Sequence, residues 1–78
     1  MFYTYVLKSL KKDQLYIGFS KDLKNRLKEH NNGFVSSTKN LRPLKVVYYE
    51  ACLSYSKAVE REKSLKTGFG RSYLKRRI

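Results

Sequence analysis

The run Tyr16-Ile17-Gly18-Phe19-Ser20-Lys21-Asp22-Leu23-Lys24-Asn25-Arg26-Leu27-Lys28-Glu29-His30 places the tightest limit on what this chain folds into. It reads as a strand running directly into a helix. Ile17 and Phe19 give the alternating apolar character of a strand, and Ser20 or Asp22 offers an oxygen to cap the helix that follows. Leu23 and Leu27 form an apolar stripe, and Asn32-Gly33 supplies a stop, so the helix is expected from Asp22 to Asn31. Arg26 and His30 stand one helical turn apart and emerge on the same face, beside the leucine stripe. A guanidinium there is half-sheltered and aimed along the edge of the core. Spacing alone leaves two readings open, a basic amphipathic helix whose Arg and His line the core boundary, or a site for an anion.

The rest of the chain supplies the partners. Residues 2–8 alternate aromatic and β-branched side chains and predict a first strand, and 11–14 make a polar break of hairpin length before a second strand at Leu15–Phe19. Residues 33–43 form a hydroxyl-rich loop ended by the only proline, in which Ser37, Thr38, Lys39 and Arg42 could each bond a phosphate; a solvated connection is the competing reading. Leu44–Ala51 is the most β-prone segment. Its unbroken Val46-Val47-Tyr48-Tyr49 run predicts burial on both faces, hence the central strand. Ser54 or Ser56 can cap a helix from Tyr55 to Thr67, Gly68 ends it, and Gly70 sets off a last helix from Arg71 to Arg77. With 78 residues the expectation is a single domain over 1–78 with one core.

Eighteen Lys+Arg against six Asp+Glu give a formal charge of +12. Self-repulsion of that size works against compactness, so a polyanionic partner is the physical reason to keep it. Nucleic acid is favoured, although a ribosome-bound or anionic-membrane protein shows the same excess. No apolar run approaches the roughly 20 residues of a membrane-spanning helix. The N-terminus lacks the basic lead and small-residue cleavage site of a signal peptide. The single Cys52 cannot form an internal disulfide, and with one histidine it makes a structural zinc site implausible, so a reduced, cytoplasmic setting is expected. Cys52 itself reads as a small buried hydrophobe.

The second long helix holds an anomaly. On a helical wheel Ala58, Val59 and Leu65 share one arc, Glu62 falls inside it, and Lys66 lies near it, whereas Glu60 points away. An inward carboxylate is costly unless it is paired, protonated or bound to a cation. An ion pair with Lys66 or Arg26 is one solution; a metal ligand is the other. The remaining acids (Asp13, Asp22, Glu29, Glu50 and Glu60) fall at turns, caps, strand ends or outward faces, which argues against a two-metal site. One Mg²⁺ or Mn²⁺ held by one carboxylate, waters and a substrate phosphate is compatible with this composition. Farther on, Lys63, Lys66, Arg71, Lys75, Arg76 and Arg77, interleaved with Phe69 and Tyr73, read as a surface that tracks phosphates or as a solvated helix face.

In order, Tyr3-Thr4-Tyr5, Tyr16-Ile17-Gly18, Arg26-x-x-x-His30 and Ala58-x-x-x-Glu62-x-x-x-Lys66 resemble the GIY-YIG nucleases, in particular the small stand-alone bacterial domains similar to the nuclease domain of the excinuclease. The match spans nearly the whole chain, and only the tyrosine of the first motif is kept. The resemblance implies an α+β fold, a three-stranded antiparallel sheet flanked by helices in the order β-β-α-β-α-α. It implies a metal-dependent endonuclease acting on nucleic acid, with DNA favoured over RNA, and a place in DNA repair. It assigns metal binding to Glu62, phosphate contact to Arg26, and positions near the attacking water to Tyr5 and Tyr16; as a mechanism, Tyr16 or Tyr5 takes a proton from that water, directly or through His30. A non-catalytic nucleic-acid-binding module on the same fold is the alternative, and a ribosome-associated basic protein a third. A domain this small also leaves room for a protein partner.

Overall fold

Alternation, capping residues and two closely packed glycines organise the chain, and the computed structural model describes all of residues 1–78. Strand β1 spans Phe2–Ser9, β2 Leu15–Ser20 and β3 Leu44–Cys52; helix α1 spans Leu23–Asn31, α2 Tyr55–Leu65 and α3 Gly68–Lys75. A short 3-10 turn, Lys39–Leu41, interrupts the connection between α1 and β3. The order β-β-α-β-α-α and the antiparallel pairing are those expected from the sequence.

The sheet order is β2-β1-β3, so the first strand is central and β3 lies at an edge, contrary to expectation. Four consecutive residues of β1, Thr4 to Leu7, are buried, which is the mark of a strand covered on both faces. The apolar run of β3 has another cause. Val6 pairs with Tyr48 and Leu7 with Val46, so Val47 is the extra residue of a bulge. A bulge shifts the side-chain alternation by one position and makes an edge strand read as continuously apolar.

Two small cores lie on opposite faces of the sheet. Under α1, Tyr5, Leu7, Leu41 and Leu44 pack with Tyr16, Leu23, Leu27 and Val46. Under α2 and α3, Val6, Leu65 and Leu74 pack with Ile17, Val47, Tyr48 and Tyr73. Caps and polar staples fix the helices on this frame. Asp22 accepts from Asn25 N at 3.1 Å, and Ser54 from Lys57 N at 3.3 Å. Such a cap contributes about 1 kcal/mol. Asn31 bonds both backbone groups of Leu44, at 2.8 and 3.0 Å, and Thr4 Oγ1 donates to the Ala58 carbonyl at 2.9 Å.

Gly70 does not separate two helices. It lies inside α3, where a Cβ would collide with the Leu65 backbone and the Ser64 carbonyl. The missing side chain lets α3 pack directly on the end of α2, and α2 itself stops at Leu65, short of Thr67. Thr67 caps α3 by accepting from Gly70 N at 3.2 Å. Cys52 is only partly buried, its thiol donating to the Ser54 carbonyl at 3.2 Å. No helix is long and apolar enough to cross a membrane.

Candidate active site

The site begins with register. Tyr5 on β1 faces Gly18 on β2, and a Cβ built on Gly18 would come within 2.5 Å of the Tyr5 phenolic oxygen. Glycine at this position therefore lets the Tyr5 ring lie across the neighbouring strand. The ring is 1% exposed. Its hydroxyl meets His30 Nε2 at 2.8 Å. Tyr16 packs edge-on against His30 and tilts toward Tyr5, with ring centroids 5.1 and 6.4 Å apart.

His30 is the one fully buried residue of α1; Leu23 and Leu27, which mark the apolar stripe, are only partly covered. Its other nitrogen, Nδ1, meets Thr38 Oγ1 at 2.7 Å. Burial, followed by the nearby Arg26 charge, pushes the imidazole below its ordinary pKa, with Glu29 opposing the shift. The ring is accordingly neutral at pH 7. The Tyr5 phenol is pushed up to about 12, first by burial, then by Tyr16 and Glu62, against the pull of Arg26. It does not ionise near neutrality, so Tyr5 does not act as a preformed tyrosinate.

Two charged groups lie within electrostatic range of this phenol, on helices from opposite sides of the sheet. Arg26 comes from α1, with its side chain 36% exposed and a 3.2 Å ion pair to Glu29. Glu62 comes from α2, with its side chain 22% exposed, as the inward arc of that helix requires. Lys66 bonds Glu62 Oε2 at 3.2 Å, and no hydrogen bond engages Oε1. The expected Lys66 ion pair is therefore present, but its amine is more than half exposed and readily displaced. No group of three or more His, Cys, Asp or Glu gathers as a protein-only metal cage. A single carboxylate with a free oxygen suits a divalent cation that keeps most of its waters.

The residues expected to meet phosphates divide into two surfaces. Lys66, Arg71 and Lys75 line an open groove of about 1180 Å³ between the sheet and the α2–α3 corner, and Tyr16 lines it as well. Lys39 and Arg42 line a separate, shallower depression with Lys11 and Asn31. Arg42 is partly held there, its Nε donating to the Lys39 carbonyl at 2.9 Å. Ser37 and Arg76 are exposed and outside both surfaces. Thr38 requires a correction. It is 0% exposed, with its hydroxyl committed to His30, and cannot contact a phosphate.

Two groove residues escape a reading of the sequence alone. Lys8 of β1 and Lys45 of β3 are direct cross-strand partners, and both line the groove. Like charges placed opposite one another are destabilising in a sheet unless an anion joins them. That signal emerges only once the register is known.

Comparison with known proteins identifies the family. A family model of the GIY-YIG catalytic domain matches residues 1–76. A UPF0213 protein of Staphylococcus saprophyticus is 41% identical over 66 residues, covering 83% of this chain and 79% of the relative. A UPF0213 protein of Clostridium perfringens is 39% identical over 67 residues, covering 85% and 71%, and one of Syntrophus aciditrophicus 38% over 66 residues, covering 82% and 75%. With the Tyr-Ile-Gly strand built around the Tyr5 ring, and the family match running almost end to end, the chain belongs to the GIY-YIG nuclease superfamily.

Proposed function

We propose that this protein is a metal-dependent endonuclease that hydrolyses phosphodiester bonds of DNA at the Tyr5–Arg26–Glu62 cluster. The observation behind this reading is convergence. One phenol, seated over Gly18 and bonded to His30, lies within electrostatic range of the Arg26 guanidinium from α1 and the Glu62 carboxylate from α2.

Each group has a task suited to its surroundings. Glu62 would hold one Mg²⁺ or Mn²⁺, which would supply charge neutralisation at the phosphate and at the departing 3′ oxygen. Arg26 exchanges its half-exposed partner Glu29 for the phosphate. A surface pair of that kind is worth at most about 1 kcal/mol, so little opposes the exchange. The guanidinium then takes up charge that grows on the phosphoryl oxygens as water attacks. Tyr16, at the junction of the cluster and the groove, orients that water. The neutral Tyr5–His30 pair receives its proton, with the phenol as relay and the imidazole as acceptor.

The groove gives the nucleic acid a route away from the reacting phosphate. Lys8, Lys45, Lys66, Arg71 and Lys75 face a single acid, Asp13, along its walls. Exchange of their counterions for phosphates supplies affinity without reading sequence. Lys39, Arg42, Ser37 and Arg76 serve as outlying contacts for a longer duplex.

A nicking assay on plasmid and branched DNA, with and without Mg²⁺, tests the reading. Cleavage that needs both the metal and Glu62, and disappears in Glu62→Ala, is the expected result. Binding without cleavage, unchanged by Glu62→Ala, would instead identify a nucleic-acid-binding module on the same fold.

A further inference from the structure

We infer that Thr38 is a positioning residue that locks His30 in the Nδ1–H tautomer, so that Nε2 is always the nitrogen free to take the Tyr5 proton. The inference rests on the Tyr5–His30 relay just proposed, but its first readout is independent of any cleavage.

The polarity follows by elimination. The Tyr5 hydroxyl carries one proton, and in the free protein the residue is only 1% exposed. Around it stand Arg26, which only donates, and His30 Nε2 at 2.8 Å. A buried hydroxyl proton left without an acceptor costs about 1–3 kcal/mol. That proton therefore goes to Nε2. A neutral imidazole with Nε2 accepting has its hydrogen on Nδ1, which faces Thr38 Oγ1 at 2.7 Å. Thr38 must then accept, and its own proton turns to the Val35 carbonyl at 3.4 Å, a group that can only accept. Every member of the chain from Tyr5 to Val35 is satisfied in this direction. Reversing it would leave the Tyr5 proton with no acceptor at all.

Thr38 is well placed to hold this direction. It caps the Lys39–Leu41 turn, its amide donating to the Val35 carbonyl at 3.1 Å and its carbonyl accepting from Leu41 N at 2.9 Å. The groups facing His30 are Tyr5 from β1, Tyr16 from β2, Arg26 and Glu29 from its own helix, and Thr38 from the loop. Of these, only Thr38 addresses Nδ1. When the imidazole accepts the Tyr5 proton through Nε2, the Nδ1–H bond to Thr38 keeps the ring from turning away.

His30 is the only histidine, so its imidazole nitrogen chemical shifts are unambiguous in an isotope-labelled sample. The wild type is expected to show Nδ1 protonated and Nε2 as an acceptor at neutral pH. Thr38→Val removes the acceptor and should shift the population toward the Nε2–H form, while Thr38→Ser restores the wild-type pattern. Cleavage should fall roughly ten- to a hundredfold in Thr38→Val and recover in Thr38→Ser. A wild-type ring found in the Nε2–H form overturns the inference whether or not the valine variant folds. So does a valine variant that folds and keeps the Nδ1–H tautomer. A cleavage-inactive wild type with the expected tautomer would contradict the nuclease reading and leave the locking role standing.

Discussion

Two clusters in this molecule are built from the same parts, a pair of tyrosines, an arginine and a glutamate, and they differ in what is left over. At the far side of the sheet, Glu50 is fully occupied. Arg61 Nε bonds both of its oxygens at 3.1 and 2.9 Å, and the Tyr48 hydroxyl donates to one of them at 2.7 Å. Tyr73 meets the Tyr48 hydroxyl at 2.8 Å, and the Arg77 guanidinium lies 3.6 Å from the centre of the Tyr73 ring. Around Tyr5 the phenol and imidazole are equally committed, but Glu62 keeps an oxygen free, and Arg26 has only a surface partner. The Glu50 cluster is a clasp holding α2 and α3 to β3. The Tyr5 cluster pairs rigid neutral groups with charges that remain available. Composition does not distinguish a clasp from a reactive centre; unused hydrogen-bonding capacity does.

Exchanging glutamate for glutamine in each cluster separates them most sharply. Glu62→Gln should lower the cleavage rate by about 10²–10³ or more while leaving the melting temperature nearly unchanged. Glu50→Gln should do the reverse, keeping the rate within about twofold and losing about 1–2 kcal/mol in a denaturant titration. A large rate loss in Glu50→Gln would erase the distinction. Gly18→Ala comes next. The added methyl would meet the Tyr5 phenol, so we expect about 1–3 kcal/mol of destabilisation together with loss of cleavage, read by thermal melting and by the nicking assay.

The groove provides a smaller effect. In a Glu62→Gln background, Lys8→Ala and Lys45→Ala should each flatten the dependence of log affinity on log salt by about 0.9 on duplex DNA. Lys39→Ala, on the other surface, is the comparison. The least effect is expected from pH. The folded-state pKa of His30 lies below that of a free imidazole, so folding favours its neutral form. The stability this contributes is fully present above about pH 6.5 and is lost as pH falls through the lowered folded value. Melts recorded down this range should show the loss in the wild type and a shallower one in His30→Gln.

How much of this is legible in the residues depends on whether a feature is local. The strand-to-helix run from Tyr16 to His30, its Asp22 cap and its Asn32-Gly33 stop follow from near neighbours, and the structure has them within a residue or so. Glu62 stands out because a helix converts spacing into direction. The sequence points to β3 as the central strand because a bulge at Val47 imitates two-sided burial, and bulges depend on the partner strand. Gly70 reads as a break because its close approach to Leu65 exists only once α3 has folded back. Thr38 looks like a surface hydroxyl because its partner His30 sits eight positions earlier on another element. The Lys8–Lys45 pair is invisible without the register.

The catalytic role proposed for the Tyr5 cluster turns on Glu62, and not Glu50, offering a vacant oxygen to a divalent cation. Paramagnetic broadening by Mn²⁺, followed residue by residue in amide spectra of the protein bound to a hydrolysis-resistant phosphorothioate duplex, probes this at the site itself. We expect signals of Gly18, Arg26 and Glu62 to broaden first and those of Glu50 and Arg61 to persist. Broadening centred on Glu50 and Arg61, or spread evenly over the chain, would mean that the cation is held elsewhere and that Glu62 is not its ligand.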